Sequence, residues 1–208
     1  MVIQELKRSA RVEGRWLAML EDGTILRLSQ NEVADFALYS GRELTEEEGV
    51  ALAAAVHRTS LREKALSLLA RKPQSRWELE RKLTEWGGDP QEGTAICDRL
   101  EELGYLNDAS YAAQVVEHYS AKGFGAKRLR DELYRRGVPR ELWDEALSGV
   151  EDSSAAIDAF VQKKLRGGTP DRAALKRVSD ALARRGYSWG EISQALDRYS
   201  AELGAEED

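Results

Sequence analysis

Cysteine occurs once in these 208 residues, at Cys97, so the chain cannot close a disulfide on itself and cannot offer a CxxC metal clip. Such usage suits a reducing compartment. Histidine occurs twice, at His57 and His118, in neither HxxxH nor HExxH spacing, which removes the common zinc signatures. A phosphate-cradling GxxxxGKS or GxxxxGKT loop is missing, and the glycine-rich stretch GGDPQEG has no lysine to serve one. No apolar run approaches the roughly 18 to 20 residues that span a bilayer, and MVIQELKRSAR has no apolar core of an export signal. These absences lead us to expect a soluble cytoplasmic protein with no catalytic residues, metal, cofactor or membrane partner. Cys97 is expected to be a structural thiol on an apolar helix.

Positive charge is also in deficit. The net charge of −6 argues against a protein whose main task is gripping bare DNA, because phosphate contact needs dense Lys and Arg. The deficit is uneven. Residues 1–58 carry 7 basic and 10 acidic groups, whereas Lys122 to Arg140 holds 7 basic residues against only Asp131 and Glu132. Glu202, Glu206, Glu207 and Asp208 form an acidic tail.

What is present is a repeat. An apolar–x3–apolar–x3–Gly pattern recurs about every fifty residues: Leu79, Leu83, Gly87; Leu129, Leu133, Gly137; Val178, Leu182, Gly186. Counted from their glycines, the last two copies align without a gap, matching Val138 to Tyr187, Trp143 to Ile192 and Leu147 to Leu196. The first copy needs three extra residues after Gly87, which brings Ile96 and Leu100 into the same slots. Self-similarity of this kind marks small helical units that bury their apolar faces on one another and bind large partners along a surface. Each copy reads as three helices. In the first, Ser75 and Glu78 have capping-box spacing and Gly87 ends the helix. Trp143 is expected in the core, Trp77 and Trp86 packed or anchoring a partner, and Trp189 half exposed at the start of the last helix.

The N-terminal stretch differs. Apolar runs at Val2–Leu6, Trp16–Leu20 and Ile25–Leu28, with Asp22-Gly23 between the last two, predict a three-stranded antiparallel sheet. Ser29 then caps a short helix, and Thr45 with three glutamates starts another that runs to about His57. The fold class expected is mainly α: three tandem three-helix units, winged-helix-like or three-helix-bundle in kind, behind a small antiparallel β-sheet with short helices. The segments expected are 1–58, 59–106, 107–150, 151–200 and an acidic tail at 201–208.

From Leu61 to Tyr199 the chain resembles the RecX regulatory proteins, bacterial modulators of the RecA recombinase. The resemblance rests on ALSLLARKPQSRWELERKL, LEELGYLNDASYA and GAKRLRDELYRRGVPRELWDEAL. It implies an extended curved rod of three-helix modules that binds the RecA–single-stranded DNA filament groove. It further implies negative regulation of recombination and SOS induction, with filament growth, strand exchange and coprotease activity restrained. The implied partner is the RecA filament with its single-stranded DNA, and a β-containing N-terminal extension occurs in only part of the family; beside this, the basic middle allows for weak direct DNA binding, and with no coiled-coil dimer seam in the sequence a monomer is expected. The alternatives are a nucleic-acid module of helix-turn-helix type and a helical-repeat adaptor for another protein.

Candidate contact residues follow from the basic helix faces. At about 100° per residue, Lys127, Arg128, Asp131 and Arg135 lie opposite Leu129 and Leu133, with Arg128 and Arg135 about 20° apart. Lys122, Arg130 and Arg136 extend this basic group, Lys176, Arg177, Arg184 and Arg185 form a weaker copy, and Arg76 is an outlying candidate. The bland alternative has Glu132 pairing to Arg128 and Arg136 at i,i+4 spacing on a solvated face. Within LEELGYLNDASYA, Gly104 is expected to end a helix, Tyr105 and Leu106 to fill a seam, and Asn107 or Asp108 to cap the next helix. Gly123-Phe124-Gly125 reads as a linker turn.

Overall fold

The computed structural model describes residues 1–148, 150, 154–165 and 170–206, with side chains through 202. The described residues form a three-stranded sheet and ten α-helices, and the chain divides into two compact units: Met1–Lys72 with Glu80–Tyr105, and Pro73–Leu79 with Leu106–Asp208. Glu206 as a side chain, Glu207 and Asp208, which carry most of the acidic tail, lie outside the described residues.

In the first unit, β1 (Ile3–Arg8), β2 (Arg15–Leu20) and β3 (Ile25–Ser29) pair antiparallel in that order. Alternation decides what each face does. Ile3, Ala18, Leu20 and Leu28 pack inward with Leu38, Leu44 and Leu52, while Lys7, Leu17 and Arg27 line up across the outer face. The β2–β3 turn differs from an Asp-Gly pair with both residues in the left-handed region. Only Gly23 is there (φ +82°), closing a three-residue loop in which the Leu20 amide donates to the Thr24 carbonyl (2.8 Å).

Ser29 caps α1 (Gln30–Asp35) and Thr45 caps α2 (Glu46–Leu69), each in a complete capping box with a glutamate three residues on. The expected end of the second helix near His57 is not observed. HRTSL contains neither Gly nor Pro to stop it, so one helix of 24 residues buries Leu52 in the sheet module and Leu61 and Ala65 further along. Around its second half lie the end of α3 (Arg76–Glu85) and α4 (Pro90–Glu102), which bury Leu83, Ile96, Cys97 and Leu100. A Cβ on Gly88 would lie 2.8 Å from Leu61 Cδ1 and 3.1 Å from the Leu83 carbonyl oxygen, so a larger residue there requires the Leu61 side chain to shift.

The second unit holds two cores. α5 (Asp108–Ser120), α6 (Ala126–Arg135) and α7 (Trp143–Ser148), the last preceded by a 3-10 turn, enclose Tyr111, Ala112, Val115, Leu129, Leu133 and Val138. Trp143 sits at the edge of this core, partly buried, its indole N–H donating to the Val138 carbonyl (2.9 Å). α8 (Ser154–Leu165), α9 (Arg172–Arg184) and α10 (Trp189–Glu206) enclose Ile157, Val161, Val178, Leu182, Tyr187 and Ile192. Trp189 is more exposed than half, at 71%, and Tyr105 stands 60% exposed, so only Leu106 of the expected seam pair is buried. Both exceptions are amphipathic rings at a helix terminus, where the chain reverses in solvent.

Helix ends join these cores. The N-cap of α6 is Gly125, which has no side chain to satisfy the first amides. The end of α9 supplies the acceptors instead: the Gly125 amide donates to the Arg185 carbonyl (2.9 Å) and the Lys127 amide to the Gly186 carbonyl (3.1 Å). The C-terminus of α6 meets the first turn of α3 in the same way. Ser75 stands in the slot of Gly125, and its hydroxyl donates to the Arg136 carbonyl while also accepting the Glu78 amide (3.1 Å). Close approach demands glycine at both joints. A Cβ on Gly186 (φ +91°) would lie 2.4 Å from Arg128 N, and one on Gly137 (φ +64°) 2.5 Å from Trp77 Cγ.

Gly104 (φ +74°) ends α4 with nothing within 4 Å of its would-be Cβ, and so isolates backbone strain from contact. Gly104→Ala should cost about 1 kcal/mol. Gly186→Ala should cost about 3 kcal/mol, because the same strain is joined by overpacking against Arg128. Urea unfolding of the two variants checks this, and equal losses would mean that the joint contributes nothing.

Candidate functional site

The basic residues of α6 divide into two sets once their partners are placed. Glu132 is only 4% exposed, and its carboxylate receives Arg128 (2.8 Å), Arg136 (2.5 Å) and, more loosely, Arg135 (3.5 Å). Arg136 also donates to the Tyr119 hydroxyl (3.1 Å) and the Glu132 carbonyl (3.1 Å). Burial alone would raise the Glu132 carboxyl, but the hydrogen bond and charge of Arg136, with Arg128 and Arg135, outweigh it and hold the group below its ordinary value. Arg128 and Arg136 are therefore turned toward a buried anion, as i,i+4 pairing predicts.

Lys127 and Arg130 face solvent and make no ion pair among the described residues, and the Arg135 side chain is 61% exposed. Lys122 is exposed beside His118 Nε2 (2.7 Å) and the Tyr119 ring. On α9, Lys176, Arg177 and Arg184 are exposed, whereas Arg185 stacks on Phe160 (4.5 Å) and reaches the Gly123 carbonyl (3.4 Å). Arg76 is half-buried, and its amide donates to Asp108 Oδ1 (2.8 Å). Asn107 caps its own helix α5, while Asp108 caps α3. The Tyr111 hydroxyl donates to Glu78 Oε2 (2.8 Å), and burial, then this carboxylate, pushes the phenol well above its usual range.

Between the first turn of α3 and the end of α6 lies an open cleft of about 470 Å³, lined by Trp77, Tyr134, Arg135, Pro139, Arg140 and Trp143. Trp77 is 42% and Tyr134 67% exposed. Partly exposed aromatics interleaved with arginine are the residue types that dominate binding hot spots. The sequence reading missed Tyr134 and Arg140 as members of this cleft. Their positions beside Gly137 would have hinted at it only if the α3 contact had been known. Among the described residues no group of three or more His, Cys, Asp or Glu gathers to hold a metal ion. No helix among them is long and apolar enough to cross a membrane.

Family models of the first, second and third three-helix domains of RecX match residues 62–100, 107–147 and 151–196. Regulatory protein RecX of Leptothrix cholodnii is 36% identical over 138 residues, covering 66% of this chain and 87% of that protein. The chain belongs to the RecX family. Regulatory protein RecX of Xanthomonas citri is 34% identical over 142 residues (67% and 87% covered), and that of Pseudomonas tolaasii 35% over 140 (66% and 90%). Two solved RecX structures share the fold. A crystal structure of regulatory protein RecX superposes with a TM-score of 0.75 at 22% identity, covering 94% of this chain and 98% of that one. RecX from Lactobacillus salivarius gives 0.66 at 20%, covering 71% and 99%. The RecX domain models begin at residue 62, so the sheet module lies outside them.

Glu132→Gln tests the buried hub. It should destabilise the protein by about 2 kcal/mol at pH 7, below the 3–5 kcal/mol of a fully buried pair because the arginines are partly solvated. A carboxylate held below its ordinary value of about 4.3 contributes fully above that pH and loses its contribution as pH falls through the lowered value. Thermal melts at pH 7 and pH 3 should therefore show the gap between wild type and variant narrowing in acid.

Proposed function

We propose that this RecX-family regulatory protein binds a RecA filament on single-stranded DNA and restrains its growth, strand exchange and coprotease activity. The observation that carries the reading is family membership over all three helical domains, joined to exposed cations on corresponding helix faces of two of them. Lys127 with Lys176 and Arg135 with Arg184 present charge in register with the repeat, and Arg130 and Arg177 add exposed cations out of register. A polymeric partner repeats its acidic surfaces and phosphates, so several weak contacts made together multiply affinity. The cleft of Trp77, Tyr134 and Arg140 supplies an apolar anchor beside those charges. Arg128, Arg136 and Arg185 take a different role in this reading: the first two brace the second repeat around Glu132, Arg185 reaches from the third repeat to the Gly123 carbonyl of the second, and contact is left to their exposed neighbours. The protein acts without chemistry of its own, as a cytoplasmic monomer.

A recombinase-dependent strand-exchange assay, with this chain at substoichiometric amounts, should show inhibition. Tyr134→Ala combined with Lys127→Glu and Arg130→Glu should raise the concentration needed for half-inhibition by about tenfold or more, equivalent to roughly 1.4 kcal/mol or more of lost binding. Undiminished inhibition by that variant would move the contact elsewhere on the molecule. Strand exchange and ATP hydrolysis untouched by the wild-type chain would favour an adaptor for another protein.

A further inference from the structure

The sheet module has a charge pattern that its composition conceals. Of the 7 basic residues in 1–58, five line one cleft of about 860 Å³: Lys7, Arg8, Arg11, Arg15 and Arg27. Glu63 is the one carboxylate among its lining residues, so five cations face one anion on a chain whose net charge is −6. The strand register builds this concentration. Lys7 pairs with Leu17 and Leu17 with Arg27, so the two cations stand on the outer face two strands, or about 10 Å, apart. Arg15 follows on the same face of β2, where it pairs with Glu63 of α2. The β1–β2 turn adds Arg11, in a turn tied by the Arg11 and Val12 amides donating to the Ser9 hydroxyl (3.3 Å each). Lys7 also has a carboxylate beside it, Glu5 (2.9 Å), and Arg8 stacks over Trp16 (5.2 Å). Arg11 and Arg27 are exposed and make no ion pair among the described residues.

We infer that this cleft binds the phosphodiester backbone of single-stranded nucleic acid. Four of the five cations are arginines, whose planar fork matches phosphate oxygens in two-point contact. Apolar surface is interleaved with them: Leu17 lies between Lys7 and Arg27, Val12 is 42% exposed and Ile25 56% exposed. Charge that tracks a backbone beside apolar surface that receives bases is the arrangement of single-strand grooves. The site is independent of the recombinase reading, since its five cations lie outside the three RecX domains and it needs no second protein.

The test uses the full chain and a fluorescent oligodeoxythymidylate of about 20 nucleotides, titrated between 50 and 200 mM salt. Binding should weaken with salt. Arg11→Glu with Arg27→Glu should lower affinity at least tenfold and reduce the slope of log K against log salt by about 1.4, the share of two single-strand phosphates. Arg99→Glu, which removes an exposed cation outside the cleft, should leave both quantities near wild type. The neutral pair Arg11→Gln with Arg27→Gln, at unchanged melting temperature, should give a smaller loss of the same kind and separates binding from folding. Unchanged affinity and slope in both Arg11/Arg27 variants would overturn the proposal. So would equal affinity for duplex, for an acidic peptide or for anionic vesicles, each of which would mark a generic cation patch. Loss of strand-exchange inhibition without loss of oligonucleotide binding would touch the recombinase reading and leave this one standing.

Discussion

The second unit depends on one recurring contact, in which the last carbonyls of a helix satisfy the first amides of another. A helix leaves four acceptors unpaired at its C-terminus and four donors at its N-terminus, with partial charges of opposite sign. Bringing such ends together pairs groups that would otherwise need water or a side chain. The C-terminus of α9 does this for α6, and that of α6 for the first turn of α3. The chain of joints has recognisable ends. At α9 the N-terminal amides are met by the helix's own Asp171, whose carboxylate accepts the Ala174 amide (2.6 Å). Past the C-terminus of α3, the Gly87 carbonyl meets His57 Nε2 of α2 (3.2 Å) in place of a further helix end.

That contact explains why the most basic helix is less available than its composition suggests. Arg128 and Gly186 meet backbone to backbone, so Arg128 is held where its guanidinium reaches Glu132, and Arg136 is drawn to the same carboxylate. A buried acid compensated by several arginines ties the end of the helix to its middle, and leaves Lys127, Arg130 and Arg135 to face outward. Inward-paired and outward-facing cations thus alternate along α6 and its C-cap. The equivalent slot to Glu132 in α9 is Ala181, and Arg185 there turns to Phe160 instead.

Much of the fold was legible in the residues. Ser29, Thr45, Asn107 and Gly87 announce helix ends by local chemistry, and the shared slots of Ile96, Trp143 and Ile192 announce the repeat. Illegible features had no local signal. Gly125 reads as a turn residue, because the carbonyls that justify a bare N-cap arrive from about sixty residues away. A helical wheel gives the angle of Arg128 but not the depth of Glu132, which is set by packing on α5. The α2 helix ran past His57 because nothing in HRTSL opposes it, and its second face belongs to a different core. Counting charge along the first 58 residues gave a deficit, since the cleft collects cations from three strands and a turn while none of that stretch's acids is among its lining residues and only Glu5 pairs with one of its cations.

Joints made of main-chain atoms ask little of the side chains around them. What α6 requires of α9 is a left-handed terminator without a Cβ and two carbonyls pointing the right way; the helix surfaces beyond are unconstrained by it. Divergence can therefore proceed rapidly on the faces of each copy while the splice stays intact, which accounts for Tyr134 and Ala183 occupying one slot in two copies. A designer wishing to lengthen the protein would need to graft only a glycine-terminated helix onto the N-terminus of α9, replacing the cap at Asp171.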